Sequence, residues 1–274
     1  MAGGRFYRPI MAKACEIDGE AGSAMVTLTT DFGLEDWYVA AMKAAVLRWC
    51  GRARLVDVTH GVRRGDIVGG SICVERAVDA FGSGTVHLAV VDPGVGTGRR
   101  LLIAKIKDQL VVCPDNGLIT WAWRRQGRGV TYELTWRPAR VSETFQGRDI
   151  MGPAAGMLAG GSATAEELGR LVDDPVLLDM APVKAPGRAG RIMHIDRFGN
   201  AMTSILEETV RAVPEARVRV GGRDIGRLRR TYAEVGHGEP AALIGSSGLL
   251  EIAVRDGSAE EKLGLCMGDE VIIG

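Results

Sequence analysis

The sequence predicts an N-terminal α/β domain with a mostly parallel sheet and a smaller, all-β C-terminal domain resembling a barrel. The chain has 274 residues, enough for about two domains of ordinary size. Strand and helix patterns alternate through its first half, which indicates parallel strands joined by right-handed crossovers. Short β-like segments separated by glycine turns fill the last third. We therefore predict a poorly ordered lead-in over residues 1–24, an α/β domain over 25–170, a linker over 171–188 and a β domain over 189–274.

The α/β domain is predicted to begin with a strand over Met25–Thr30, which is rich in β-branched residues. A helix follows, because Val39, Met42, Val46 and Trp49 recur at helical spacing. The run from 85 to 91 is almost entirely apolar, as expected of a strand covered on both faces. The other predicted elements are a strand over 55–58, a helix over 67–81, a strand pair over 101–106 and 110–113, and a helix over 150–168.

The linker and the β domain are predicted from proline and glycine. Three prolines fall within twelve residues, at Pro175, Pro182 and Pro186. Beyond them the β-like segments are 191–195, 217–220, 249–254 and 270–273. This pattern is typical of a small barrel or a sandwich.

Composition excludes several classes of protein. Hydrophobic residues make up 46% of the chain and charged residues 25%, as in an ordinary globular protein. Lys and Arg number 34 and Asp and Glu also 34, so the zero net charge predicts neither a nucleic acid nor a membrane as partner. No apolar run approaches the roughly 20 residues of a membrane span. Five scattered cysteines without a C-x-x-C pair, and four histidines without ligand spacing, predict reduced thiols, a cytoplasmic protein and no bound metal.

Two carboxylates lie beside the first predicted strand. Asp31 follows the strand directly and Asp36 precedes the next helix. Ligands of open α/β sheets bind outside the carboxyl ends of the strands, and a carboxylate there can accept two hydrogen bonds from a ribose diol. Capping of the helix by either residue is an equally good interpretation.

A glycine-rich segment follows the buried strand, reading Asp92-Pro-Gly-Val-Gly-Thr-Gly-Arg99. It is similar to a phosphate-binding loop, but another strand follows it where a dinucleotide-binding fingerprint needs a helix. Asp92 and Arg99 then form either a salt bridge across a turn or a fixed charge pair beside a ligand.

Two further motifs have a structural and a functional interpretation. Gly147-Arg-Asp149 precedes an alanine-rich segment, and by itself favours a helix cap with an ion pair. Asp196-Arg-Phe-Gly-Asn200 by itself looks like a hairpin turn. Phe198 can stack on a flat base, however, and Asn200 offers both a donor and an acceptor to its edge.

In combination and order, these motifs resemble the S-adenosyl-L-methionine (SAM) hydroxide adenosyltransferases, the adenosine-forming SAM hydrolases related to fluorinase and chlorinase. The resemblance runs from about Val26 to the C-terminus. It is carried by Thr30–Gly33 with Asp36 and Tyr38, Val56–His60, Gly84–His87, Asp92–Thr97 with Arg99 and Arg100, Pro114–Gly117, Gly147–Asp149, Asp196–Asn200, and Ser246–Gly248 with Glu251–Ala253.

The resemblance implies that SAM and water give adenosine and L-methionine, by attack of water or hydroxide at ribose C5′ without a cofactor. It also implies a homotrimer, with each site between the α/β domain of one subunit and the β domain of the next. The implied substrate-binding residues are Asp31 at the ribose hydroxyls, Asp36 and Asp196 near the methionine ammonium, Ser246 near its carboxylate, Phe198 and Tyr232 flanking adenine, Asn200 at the adenine edge, and Tyr38 and Ser247.

The implied catalytic set is Asp92, Arg99 and Gln146. The first two match family residues that orient and activate water, but the third position is histidine in the family hydrolases. Glutamine positions water but cannot take a proton near neutral pH as histidine can. Slower hydrolysis is one expectation and a non-catalytic SAM- or adenosine-binding protein is the alternative. A halide adenosyltransferase is disfavoured, because those enzymes have tyrosines at the positions of Asp92 and Gln146.

Two smaller departures from the family lie in the β domain. Gly245 stands where asparagine is usual, and Leu249 where tyrosine is usual.

Overall fold

The computed structural model describes residues 24–179, 183 and 187–274, and these form two compact units. The first unit contains the described residues up to 119 and residues 126–176. The second contains residues 120–125 and the described residues from 177 onward. The lead-in predicted over 1–24 lies outside the described residues except for residue 24, and so does part of the predicted linker. None of the helices within the described ranges is long and apolar enough to cross a membrane.

A seven-stranded sheet forms the first unit, with spatial order β2-β1-β3-β5-β4-β6-β7. Its strands are β1 Met25–Thr30, β2 Arg54–Thr59, β3 Val86–Val90, β4 Leu101–Ile106, β5 Gln109–Pro114, β6 Val130–Leu134 and β7 Gly169–Val172. The pairings β1–β2, β1–β3 and β3–β5 are parallel. The pairings β4–β5, β4–β6 and β6–β7 are antiparallel. The α/β class is confirmed, and the sheet is mixed because the tight β4–β5 hairpin reverses the chain direction.

Helices cover this sheet, and the alanine-rich segment differs from its predicted form. The helices are α1 Tyr38–Trp49, α2 Ile67–Ala80, a π-helical turn Gly147–Met151, α4 Gly152–Gly160 and α5 Ala165–Leu168; α3, Thr120–Arg125, belongs to the second unit. The single helix predicted over 150–168 is therefore wrong. Gly161 ends α4 in a left-handed conformation, with φ of 70°, and Thr164 then caps α5 with a capping box.

The core of the first unit lies between the sheet and its helices. Val39, Met42 and Val46 of α1 are buried, as their spacing predicts. Helix α1 packs on α4 at short range, since a Cβ on Gly156 would lie 2.5 Å from the carbonyl oxygen of Val46. Only glycine permits that approach, which fixes α4 and the π-helical turn that precedes it against α1.

A closed barrel forms the second unit, so the sandwich alternative is wrong. Its strand order is β10-β11-β12-β13-β9-β8-β14. The strands are β8 Ala189–Ile195, β9 Ala201–Leu206, β10 Arg217–Val220, β11 Arg223–Arg229, β12 Pro240–Ile244, β13 Leu249–Val254 and β14 Glu270–Ile273; two short helices, α6 Glu207–Arg211 and α7 Ala259–Leu263, accompany them. Closure leaves no free edge and buries alternate residues such as Val218, Ile252 and Val271 inside.

Candidate active site

The carboxyl ends of β1 and β3 position the first group of candidate residues. The two strands are parallel neighbours with Thr30 opposite Val90, so Asp31 and Asp92 emerge at one edge of the sheet. Both line a cavity of about 410 Å³ that lies wholly within the first unit. Its other lining residues are Phe32, Trp37, Tyr38, Val90, Val95, Ser142, Thr144, Phe145, Gln146, Gly147 and Arg148.

Asp92, Arg99 and Gln146 form a continuous hydrogen-bonded chain at this cavity. The Nε of Arg99 lies 2.6 Å from Oδ1 and 2.8 Å from Oδ2 of Asp92, and its Nη2 also donates to Oδ2. Its Nη1 donates to Oε1 of Gln146 at 2.8 Å. The Asp92 and Arg99 side chains are only 4% and 9% exposed. The predicted salt bridge across the turn is therefore present, and its Asp92 lines the cavity.

Tight backbone turns in the glycine-rich loop return Arg99 to Asp92. Val95 donates to the carbonyl of Asp92 at 3.2 Å, and Thr97 to that of Gly94 at 3.1 Å. Gly96 has φ of 80°, and a Cβ there would lie 3.0 Å from the carbonyl oxygen of Glu143. The loop continues into β4 without an intervening helix, as the sequence indicates. It therefore holds an ion pair and has no helix N-terminus to offer a phosphate.

This chain of bonds also fixes what Gln146 can donate. Because Arg99 has only donors, the oxygen of the Gln146 amide must face it. The amide NH₂ is then the group left to donate toward the cavity. Each oxygen of a carboxylate has about two acceptor sites, so Asp92 retains capacity beyond its bonds to Arg99. A water molecule between these groups would receive a hydrogen bond from Gln146 and donate one to Asp92.

Asp31 is held by a neighbouring loop. Its Oδ2 accepts a hydrogen bond from the backbone of Gly65 at 2.8 Å, and the side chain faces the cavity. Helix α1 begins after Trp37, which makes no side-chain cap, so the capping interpretation of Asp31 and Asp36 is wrong. Asp36 is exposed and does not line the cavity, whereas Tyr38 does.

Four aromatic side chains line the cavity together, and the sequence did not predict this aromatic wall. Phe32, Tyr38 and Phe145 meet edge to face, with ring centroids 5.4–6.1 Å apart. Trp37 joins them at 5.0 Å from Tyr38, and its side chain is 58% exposed. The available signal was four aromatic residues beside the candidate motifs in a chain that is only 5% aromatic. Such a wall suits a flat or apolar ligand.

The Gly147-Arg-Asp149 motif contains the predicted ion pair. Arg148 donates to both oxygens of Asp149, at 2.6 and 2.8 Å, and its guanidinium lies 4.9 Å from the centroid of the Phe145 ring. Asp149 accepts a hydrogen bond from the backbone of Ser142 at 2.8 Å. The helix cap predicted for this motif is wrong, because Asp149 lies inside the π-helical turn and the residue at the start of that turn, Gln146, makes no side-chain cap. The hydrogen bonds from Arg148 hold the pKa of Asp149 below its usual value. These contacts fix the segment that presents Gln146.

The other candidate residues lie in the second unit. Asp196 closes the β8–β9 hairpin, accepting at Oδ1 from the backbones of Phe198 at 2.8 Å and Asn200 at 2.9 Å. The predicted turn is thus present, and it projects Phe198 with 76% of its surface exposed. Phe198, Asn200 and Tyr232 together line a surface hollow of about 710 Å³. An exposed ring beside an amide suits an aromatic base.

Glu251 is a neighbour of this group whose contact was not predicted. It is only 8% exposed, and its Oε1 accepts a hydrogen bond from the Tyr232 hydroxyl at 2.6 Å. Burial raises the pKa of Glu251, and burial together with the Glu251 carboxylate raises that of Tyr232. A Cβ on Gly245 would lie 2.5 Å from Oε2 of Glu251, so a larger residue at position 245 would require the Glu251 carboxylate to move.

The two predicted serines differ in their surroundings. Ser246 is exposed, whereas Ser247 is 5% exposed and its hydroxyl has no hydrogen-bond partner among the described residues. Unpaired buried hydroxyls are uncommon in proteins, and a ligand is one way to satisfy them. The predicted residues thus fall into two groups, one in each unit.

Comparison with known proteins gives a consistent result along the chain. Residues 26–169 match the model of the SAM hydroxide adenosyltransferase N-terminal domain, and residues 190–272 that of the C-terminal domain. An (R)-S-adenosyl-L-methionine hydrolase of Thermus thermophilus is 40% identical over 255 residues, covering 89% of this chain and 96% of that protein. One of Salinispora tropica is 38% identical over 261 residues, covering 92% and 98%. The crystal structure of an uncharacterized conserved protein from Thermotoga maritima has a TM-score of 0.84 and 34% identity, covering 91% of this chain and all of that one.

Proposed function

The chain belongs to the SAM hydroxide adenosyltransferase family, and from that premise we propose that it hydrolyses SAM to adenosine and L-methionine. The observation that carries this proposal is the Asp92–Arg99–Gln146 chain at the wall of the first-unit cavity. It supplies one acceptor and one donor for a water molecule, within reach of a cavity that suits a ribose and its substituents.

The proposed reaction is an in-line displacement at ribose C5′. Water attacks carbon from the side opposite sulfur, the C5′–S bond breaks, and the proton passes to Asp92 or to solvent. The sulfonium leaves as a neutral thioether, so its departure needs neither an acid nor a cofactor. Positioning the nucleophile in line can lower the barrier by roughly 7–11 kcal/mol. The role of Gln146 is to orient water, and it takes no proton.

The proposed substrate contacts are the ones that the family resemblance implies for the residues of the two groups. In the first unit, Asp31 accepts from the ribose hydroxyls and Tyr38 packs beside them. In the second unit, Phe198 and Tyr232 flank adenine and Asn200 reads its edge. The methionine part binds Asp36 and Asp196 through its ammonium and Ser246 and Ser247 through its carboxylate.

The working assembly proposed is a homotrimer, in which the first unit of one subunit and the second unit of the next share each site. Two exposed aromatic side chains support it. Trp37 and Phe198 are 58% and 76% exposed, and contact with ligand and a second subunit would cover such surfaces.

The proposed location is the cytoplasm. Four cysteines of the described residues are free thiols, as is usual in that compartment: Cys50, Cys73, Cys113 and Cys266.

A second candidate function is SAM or adenosine binding without turnover. The observation in its favour is Gln146, which cannot act as a base where the family hydrolases have histidine. Halide transfer is the weaker candidate, since the Asp92 carboxylate would repel a halide ion in the position of the attacking water.

Incubating the purified protein with SAM, with and without chloride, distinguishes the three functions by mass spectrometry. We expect equal amounts of adenosine and methionine in both samples. Intact SAM recovered with the protein would instead identify a binding protein, and 5′-chloro-5′-deoxyadenosine would identify a halide transferase.

A further inference from the structure

The Val56-Asp-Val-Thr-His60 motif has no part in the proposed reaction. Its last residue, however, contacts Thr30, the neighbour of the cavity residue Asp31. Its His60 is 5% exposed, and the ring Nδ1 lies 2.8 Å from the hydroxyl of Thr30. Its Nε2 lies 3.1 Å from Oδ1 of Asp57, an electrostatic contact with an angle outside hydrogen-bond geometry. Asp57 in turn accepts from Lys43 Nζ at 2.6 Å. A line of polar contacts therefore runs from α1 through β2 to the end of β1.

Simple electrostatics sets the direction of these contacts. A lone pair on Nε2 would face the Asp57 carboxylate and be repelled by it, so a ring that carries a single proton carries it on Nε2. Nδ1 is then an acceptor, and the Thr30 hydroxyl donates to it. The oxygen of Thr30 is left to accept from the backbone of Phe32, at 3.3 Å. Thr30 is fully buried, so water cannot replace either bond.

Hydrogen bonds also connect His60 and the loop that follows it to the segment around Asp31. Its backbone carbonyl accepts from Gly33 at 2.9 Å. Val62 donates to the carbonyl of Thr30 at 3.3 Å, and Gly65 donates to the Asp31 carboxylate at 2.8 Å. Thr30, one residue before Asp31, and Gly33, two residues after it, are thus both bonded to His60. The Asp31 carboxylate itself is bonded to Gly65, in the loop that follows His60.

We propose that His60, acting through Thr30, is a positioning residue that orients the Asp31 carboxylate toward the ribose hydroxyls. This inference rests on the proposed function, which assigns Asp31 to those hydroxyls. Loss of the ring acceptor would leave the proton of the buried Thr30 hydroxyl without an acceptor, and the backbone before Asp31 would lose one of its fixed contacts. Gly65 would then be left to hold the carboxylate, which would be oriented less well. The affinity for ligands that carry both ribose hydroxyls should therefore fall, and the affinity for ligands that lack one hydroxyl should fall less.

Two substitutions of His60 test the contributions of the two ring nitrogens separately. Asparagine at position 60 places an amide oxygen near the site of Nδ1 and keeps an acceptor for Thr30, whereas the longer glutamine places its amide toward Asp57. Thr30→Val removes the hydroxyl that bonds to Nδ1, and Thr30→Ser keeps a hydroxyl at that position. The dissociation constants of adenosine and 2′-deoxyadenosine are measured by calorimetry on each full-length variant, and thermal unfolding checks that each is folded.

The expected readout is the preference of each variant for adenosine over 2′-deoxyadenosine. We expect His60→Gln and Thr30→Val to reduce this preference about five- to tenfold, the value of about one hydrogen bond. His60→Asn and Thr30→Ser should stay within about twofold of the wild-type protein. Equal weakening of both nucleosides in His60→Gln, or no change in either, would overturn the inference.

The wild-type protein separates this inference from the proposed function. A wild-type protein that prefers adenosine but leaves SAM intact would contradict the hydrolase and leave the positioning role standing. A wild-type protein with no preference between the nucleosides would contradict the assignment of Asp31, and the positioning role with it.

Discussion

At the scale of single residues, the proposed reaction depends on the way Gln146 orients the attacking water. Its amide oxygen is bonded to Arg99, so it contributes a donor where a histidine would contribute a base. General-base assistance is typically worth about 10²–10⁴-fold in rate. The proposed hydrolase therefore depends on Asp92 and on positioning.

Gln146→His is expected to raise the rate of adenosine formation from SAM at least tenfold, because it adds a base beside Arg99 and the cavity. The rate should also fall below about pH 6.5, where an ordinary histidine becomes protonated. Steady-state assays between pH 5.5 and 8.5 measure both effects. Gln146→Asn is the matched control, since it keeps an amide without adding a base. An unchanged or lower rate in Gln146→His would show that the site is organised around glutamine.

How much of the site could be predicted depends on the distance between its residues in the sequence. Asp92 and Arg99 are seven residues apart across one loop, so their pairing could be predicted. Thr30 with His60, and Tyr232 with Glu251, meet across 30 and 19 residues. Those contacts follow from strand register and barrel closure, and no local pattern encodes them. Glu251 was part of a motif that carries the family resemblance, but its contact with Tyr232 could not be read from the sequence.

At the scale of secondary-structure elements, a buried polar chain ties the centre of the first sheet together. Nδ1 of His87 on β3 lies 2.7 Å from the hydroxyl of Thr27 on β1, and Nε2 lies 2.7 Å from Oε1 of Gln109 on β5. Gln109 then donates to the carbonyl of Val78 in α2 at 2.9 Å. Burial lowers the pKa of His87, so the folded protein favours the neutral ring.

Stability is therefore expected to fall in mild acid. The unfolded chain takes up a proton at His87 near pH 6.5 and the folded protein only at lower pH. The contribution of His87 is fully present above about pH 6.5 and decreases as the pH falls below it. Urea unfolding at pH 7.5 and 5.0 should show a smaller loss of unfolding free energy in His87→Gln than in the wild-type protein. His237→Gln, which alters an exposed histidine, is the control. Equal losses in His87→Gln and the wild-type protein would contradict the role of His87.

Elements were predictable where local sequence determines them. Strand β1 is β-branched or apolar throughout, β3 is apolar except for His87, and α1 has a clear helical period. Strands β11 and β12 carry glycine, proline and charges, and they become strands because the closing barrel pairs Leu228 with Ala242. The segment over 150–168 was predicted as one helix because it is rich in alanine, whereas the chain makes a left-handed turn at Gly161.

At the scale of the whole molecule, the candidate residues are divided between two units. The proposed trimer makes each site from two chains, so two different defects should complement each other. Asp92→Ala removes the carboxylate of the first unit, and Phe198→Ala removes the ring of the second. We expect each variant alone to be nearly inactive.

Co-expressed in equal amounts, the two variants should recover about a quarter of the wild-type specific activity, because a random quarter of shared sites contains neither defect. Light scattering on the purified mixture should give three times the mass of one chain. Sites contained within single chains would give no recovery, which would contradict the shared site.

Attack of water at ribose C5′ is tested most directly by following the labelled oxygen when the protein acts on SAM in H₂¹⁸O. Attack of water at C5′ places the label in the 5′-hydroxyl of adenosine and leaves methionine unlabelled. We expect the mass of adenosine to increase by the replacement of one ¹⁶O with one ¹⁸O and the mass of methionine to stay unchanged, read by mass spectrometry against a sample without protein. Unlabelled adenosine, label in methionine, or no adenosine above that background would contradict hydrolysis at C5′.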